Sequence, residues 1–190
     1  MSDKVIAIGA SAGGLSALRD LLAELPEDFA APIVVAVHGN EESRLAEVLE
    51  RTRSIALPAR RLEDGDTLEK GVVHVVPGAT HAFFADGHMR ISDATRTSGY
   101  RPSIDALFIT MAAEYGENAV GVVLSGMLND GMRGAQVIFD TGGVTVVQDP
   151  ADAEYAAMPQ SVINQDHPRT VLPADELGRW LRDLVASDAR

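Results

Sequence analysis

A chain of 190 residues has material for one substantial core and too little for two ordinary domains, so a single domain over 1–190 is expected. Its formal charge of −12 argues against a nucleic-acid partner, because phosphate backbones are held by clustered Lys and Arg. With no cysteine, disulfides, thiol nucleophiles and thiolate metal sites are excluded, and the chemistry must come from oxygen and nitrogen.

The chain passes from Met1-Ser2-Asp3-Lys4 straight into the apolar run Val5–Ile8, with no signal-type cleavage region. Its longest apolar stretch, around Ala30 to Val37, is far short of a bilayer span. A soluble, cytoplasmic protein without membrane insertion is expected. Val5–Ile8 reads as a short buried strand, and Leu15, Leu18, Leu21, Leu22 and Leu25 then recur at helical spacing up to Pro26. Pro32 to Val37 is a continuous β-branched run of the kind a central parallel strand shows, followed by a helix carrying Leu45, Val48 and Leu49.

From Ile55 to Ser92 the pattern changes to short strands, including Val72–Val76 and Ala82–Ala85, with Asp86-Gly87 as a hairpin signal. This section is expected to add antiparallel strands to one edge of the sheet. Residues 92–101, rich in Ser, Thr and Arg, read as an exposed loop. Pro102 and Ser103 then open a helix with Ile104, Leu107, Phe108 and Met111 on one face, Ser103 serving as its N-cap. Ala119–Leu124 and Val144–Val147 are further strands, separated by a helix ending near Gly142-Gly143. Leu177, Trp180, Leu181, Leu184 and Val185 mark a closing amphipathic helix. The alternation predicts an α/β fold around a mostly parallel sheet.

Ser11, His38 and Asp130 each follow one of these apolar runs, which places them at the carboxyl edge where open α/β sheets carry their sites. Gly9-x-Ser11-x-Gly13 has the spacing of a nucleophile elbow. A Gly-rich turn with Ser11 as an ordinary N-cap would look the same. A dinucleotide loop is disfavoured, because Ser11 stands where the second glycine belongs and the next strand ends in His38-Gly39 rather than an acid. An ordinary α/β-hydrolase runs serine, acid, histidine, whereas here the order is Ser11, His38, Asp130. His81 is the rival base among His74, His81, His88 and His167, and Asp130 suits either an orienting acid or a helix cap. No paired histidines stand at ligand spacing on one helix, so no metal is expected.

The segments Val5–Leu15, Arg101-Pro-Ser-Ile-Asp-Ala-Leu-Phe108, Val122–Gly131, Gly142–Asp149 and Ala157-Met-Pro159 together resemble the catalytic domain of chemotaxis protein-glutamate methylesterases, in order and over nearly the whole chain. The resemblance implies a three-layer α/β/α, doubly wound fold with an antiparallel edge hairpin. It further implies hydrolysis of glutamyl γ-methyl esters on methylated chemoreceptors or related sensory proteins, with deamidation of certain glutamines and no cofactor. Ser11 matches the family's nucleophile, His38 its base and Asp130 the residue orienting it. The backbone N–H groups of Ala12 and Met127 match the oxyanion donors. Asn129 and Arg101 are substrate-proximal candidates, Arg101 alternatively anchoring the loop before Pro102.

Three departures stand out. Val37-His-Gly-Asn40 replaces the frequent Gln-His-Met-Pro, Leu128 stands where glycine is common, and Ala12 replaces a frequent threonine. The family's usual N-terminal phosphoacceptor domain is not seen, so a stand-alone form is expected, either constitutively active or controlled by a separate regulator or methyltransferase. The competing expectations are a catalytically weak scaffold of the same fold and a hydrolase of small esters.

Overall fold

Val5–Ala10 forms β1 and Ile33–Val37 forms β2, and the two pair in parallel with Ile6 opposite Ile33 and Gly9 opposite Ala36. Helix α1, Gly14–Ala23, makes the crossover between them and buries Leu18, Leu21 and Leu22. The chain continues through α2 (Leu45–Glu50), β3 (Ala59–Arg61), β4 (Val73–Val75), β5 (His81–Ala85) and β6 (His88–Ser92). There follow α3 (Ile104–Tyr115), β7 (Ala119–Val123), α4 (Met132–Asp140), β8 (Val144–Gln148), α5 (Ala157–Gln165), β9 (Thr170–Leu172) and α6 (Ala174–Asp188). This computed structural model describes residues 4–93, 99–165 and 168–188. The loop expected over 92–101 falls partly, and His167 wholly, outside the described residues.

Seven strands form one sheet in the order β3-β4-β2-β1-β7-β8-β9, every pairing parallel. The strand order reverses beside β1, which lies between β2 and β7, so a crevice opens at their carboxyl ends. Alternate residues serve opposite faces. Ile6, Ile8, Ile33, Val35, Val120 and Val122 pack with Leu18, Leu22, Leu177 and Leu181 of α1 and α6. On the other face Ala7, Val34, Ala36 and Val123 pack with Ile104, Phe108, Ile138, Met158 and Val162 of α3, α4 and α5. Because helices cover both faces, the strands read as unbroken apolar runs rather than alternating ones. The result is the three-layer α/β/α arrangement.

The Asp86-Gly87 hairpin forms, with both residues at positive φ (54° and 76°), the conformation a tight hairpin turn needs. Its position differs from expectation. β5 and β6 make a separate two-stranded antiparallel sheet instead of extending an edge of the main one. Phe84 and Met89 bury against the α3 side of the core, and the Phe84 N–H donates to Thr110 Oγ1 at 3.1 Å. The preceding run at Val72–Val76 joins the main sheet in parallel as β4. Three elements were not anticipated: β3 and β9, each three residues long, and α5, which carries Pro159 in its first turn, where a helix tolerates proline. Among the described residues, no helix is long and apolar enough to cross a membrane.

Candidate active site

Ser11 sits just past β1, in a turn whose geometry glycine makes available. Gly13 has φ +71°, and a Cβ there would stand 2.7 Å from Glu154 Cβ and 2.8 Å from Ser125 Oγ. The turn is tied to the end of β7: the Ser11 N–H donates to the Ser125 carbonyl at 3.0 Å. The buried Ser125 hydroxyl donates to the Ala12 carbonyl at 2.9 Å and accepts from the Tyr155 N–H at 3.0 Å. Its own N–H donates to Gln148 Oε1 at 2.7 Å. Gly126 is equally constrained, since a Cβ there would lie 2.1 Å from Met158 Sδ and 2.9 Å from Ser11 Cβ.

His38 follows β2, its backbone N–H donating to the Ala10 carbonyl at 3.1 Å. Its Nδ1 lies 3.1 Å from Ser11 Oγ and its Nε2 lies 2.8 Å from Asp130 Oδ2. An ionised carboxylate only accepts, so Nε2 carries the proton and Nδ1 presents its lone pair to the serine hydroxyl. This is the reverse of the chymotrypsin-type assignment, in which Nε2 faces the serine. The imidazole is 15% exposed and the Asp130 side chain 1%, so the relay runs from an accessible serine to a buried acid.

Asp130 Oδ2 also accepts from the Ile104 N–H at 2.7 Å, and Oδ1 accepts from Asp105 N–H at 3.0 Å. Asp130 is therefore an orienting contact and a helix cap together, capping α3 and also accepting through Oδ1 from the Gly131 N–H ahead of α4 at 3.1 Å. Asp105 Oδ1 in turn accepts from the N–H groups of Gly131 and Gly134 at 3.0 and 2.9 Å. Burial pushes the Asp105 carboxyl up from its ordinary range, the Gly134 N–H opposes this, and the Asp130 charge adds to the rise.

The remaining candidates fall at different distances from the relay. Met127 and Leu128 are 53% and 62% exposed and form an open apolar rim. Leu128 has φ +68°, the left-handed region that suits glycine, which accounts for the glycine common at this position. Exposed Asn129 accepts through Oδ1 from the Tyr100 hydroxyl at 3.4 Å. The Arg101 guanidinium donates to the Ala79 carbonyl at 3.5 Å, and its own carbonyl accepts from the Gly39 N–H at 3.2 Å, so this residue ties loops together. His81 is buried, its Nδ1 accepting from the Ser103 N–H at 3.2 Å ahead of α3. Among the described residues no three His, Asp or Glu side chains are grouped as metal ligands.

Sequence reasoning passed over Ser125, Gln148, Asp105 and Tyr100. The Arg101–Phe108, Val122–Gly131 and Gly142–Asp149 segments contain Asp105, Ser125 and Gln148 without flagging these side chains, because each acts through a partner distant in the chain.

The family model described as CheB methylesterase matches residues 6–181. The chain is 38% identical over 182 residues to protein-glutamate methylesterase/protein-glutamine glutaminase 2 of Anaeromyxobacter dehalogenans (strain 2CP-C), covering 96% of this chain and 53% of that protein. It is 41% identical over 187 residues to enzyme 3 of the same name from that organism, covering 94% and 54%. The chain thus spans about half the length of these relatives. The crystal structure of the Thermotoga maritima CheB methylesterase catalytic domain superposes with a TM-score of 0.89 at 30% identity, covering 97% of this chain and 100% of that one.

Proposed function

The chain belongs to the CheB methylesterase family, and we propose that it is a serine-dependent protein-glutamate methylesterase acting on methylated chemoreceptors or related sensory proteins. Ser11 Oγ attacks the γ-ester carbonyl as His38 Nδ1 takes its proton, and Asp130 stabilises the imidazolium through Nε2–H. The N–H groups of Ala12 and Met127 receive the oxyanion. His38 returns the proton to the departing methoxide, methanol leaves, and a glutamyl ester of Ser11 remains. Water, deprotonated by His38, then attacks that ester and releases the glutamate and Ser11. With a glutamine side chain the same steps expel ammonia. The reaction draws on this chain's own groups and water.

The observation that carries this reading is the relay of 3.1 and 2.8 Å joining Ser11, His38 and Asp130. The exposed Met127 and Leu128 rim supports it further, since an open site suits a side chain presented on another protein's surface. The setting of the proposal is the cytoplasm, with a regulator or methyltransferase as a further partner and Asn129 facing the substrate.

The test is methanol release from methyl-esterified receptor fragments by the wild type and Ser11→Ala, with small esters as controls. Release that disappears with Ser11 is the expected result. Turnover of small esters alone would make the protein a different hydrolase, and no turnover by a folded protein would favour a scaffold.

A further inference from the structure

Tyr100 covers the face of the His38 imidazole. The two rings stand 5.1 Å apart, centroid to centroid, with their planes 10° from parallel. The Tyr100 hydroxyl also reaches Asn129 Oδ1 at 3.4 Å, long for an O–H···O bond. Its neighbour Arg101 is tied at two points: its carbonyl accepts from the Gly39 N–H at 3.2 Å, and its guanidinium donates to the Ala79 carbonyl at 3.5 Å. The segment that carries Tyr100 is thereby fastened to the segment that carries His38.

The His38 ring is hinged to its backbone at Cβ, and a turn about the Cβ–Cγ bond swings its nitrogens out of line with Ser11 and Asp130. A ring stacked on its face resists that turn. The stack also acts on charge, because an aromatic face attracts a cation, and His38 becomes cationic only as Ser11 attacks. An interaction that strengthens towards the transition state raises kcat and leaves substrate binding alone.

We propose that Tyr100 is a positioning residue for His38, holding the imidazole in the plane that serves Ser11 and favouring its protonated form during acyl transfer. The step it serves rests on the methylesterase reading, whereas its effect on Ser11 reactivity does not.

The experiment compares wild type, Tyr100→Phe and Tyr100→Leu in two assays, after thermal unfolding has shown all three folded. One is kcat and KM for methanol release from methylated receptor fragments. The other is the rate at which a fluorophosphonate probe modifies Ser11. Tyr100→Leu is expected to lower kcat and the modification rate together, by about threefold to tenfold, with KM unchanged. Tyr100→Phe, which keeps the stack, stays within about twofold of wild type. A raised KM with kcat preserved would make Tyr100 a substrate contact and overturn the proposal. So would a phenylalanine variant as slow as the leucine variant, which would assign the effect to the hydroxyl. If the wild type releases no methanol while Ser11 modification still falls in Tyr100→Leu, the methylesterase reading fails and the role of Tyr100 stands. Normal methanol release with unchanged modification in Tyr100→Leu sinks the role of Tyr100 alone.

Discussion

Asp105 and Asp130 cap each other's helices. Asp130, ahead of α4, accepts from Ile104 and Asp105 at the start of α3, at 2.7 and 3.0 Å. Asp105, in the first turn of α3, accepts from Gly131 and Gly134 at the start of α4, at 3.0 and 2.9 Å. The oxygen that faces His38 is thus fixed by a helix terminus, and the acid's orientation depends on α3 being in place.

Replacing Asp130 should separate its two tasks. Asp130→Asn keeps size and one acceptor oxygen but disturbs the proton arrangement at His38, so kcat is expected to fall by about a thousandfold to ten-thousandfold. Asp130→Ala also strips the acceptor from two helix N–H groups and should cost about 1–3 kcal/mol of stability. Methanol release and urea unfolding read the two effects, and an alanine variant as stable as wild type would remove the capping role.

Asp105 makes the cross-capped pair sensitive to a rise in pH above the ordinary carboxylate range. Its folded-state pKa is raised above the ordinary 3.8, chiefly by burial, so the folded chain holds this proton more tightly than the unfolded one. The stabilisation is complete below the unfolded value and is lost as pH rises through the folded one. The stability of Asp105→Asn relative to wild type should therefore grow on going from acid towards neutral pH, as measured by urea midpoints. A constant difference would show that Asp105 titrates alike in both states.

His74 on β4 acts in the opposite direction. Desolvation lowers its pKa from 6.5, against opposing contributions from Glu69 and Asp66, and its Nε2 accepts from the Glu69 N–H at 3.0 Å. The neutral ring is the native form, so its contribution is present above 6.5 and is lost as pH falls through the lowered value. His74→Gln should flatten the loss of stability below neutrality, and an unchanged acid limb in thermal melts would rule this out.

Leu128 holds a left-handed backbone with φ +68° and is 62% exposed. Leu128→Gly relieves roughly 1–2 kcal/mol of strain, offset by roughly 0.5–1 kcal/mol of unfolded-chain entropy. A net gain of about 0.5–1 kcal/mol is expected, visible as a higher urea midpoint with an unchanged m-value. A destabilised glycine variant would mean that the leucine side chain contributes packing beyond its exposure.

Ser125→Ala removes the hydroxyl that links the Ala12 carbonyl to the Tyr155 N–H. Two part-buried backbone groups lose a partner, at a cost of about 1 kcal/mol. Because the Ala12 peptide adjoins Ser11, fluorophosphonate modification should slow as well, whereas full reactivity would confine Ser125 to a structural role.

Much of this molecule was legible locally. The β-branched run Ile33–Val37, the leucine spacing of α1, the Ser103 cap and the Asp86-Gly87 turn each follow from preferences acting over a few residues, and each formed at its expected place. The Gly9–Gly13 spacing likewise marked the turn at Ser11, whereas α5 carries only a weakly apolar pattern with Pro159 in its first turn and was not anticipated. Where the hairpin would pack was not local information. Its Asp-Gly turn specifies two antiparallel strands, but only the apolar face of α3 decides that Phe84 and Met89 bury there and not along the main sheet.

The sequence alone determined that a serine, a histidine and an aspartate follow three buried strands. The tertiary structure decided that Ser11 meets His38 across 27 residues and His38 meets Asp130 across 92, with Nδ1 towards the serine and Tyr100 on the ring face. The physical reason is that local preferences end with the turn or strand that expresses them. Contacts between distant segments are set by strand order, register and the helices packed over them.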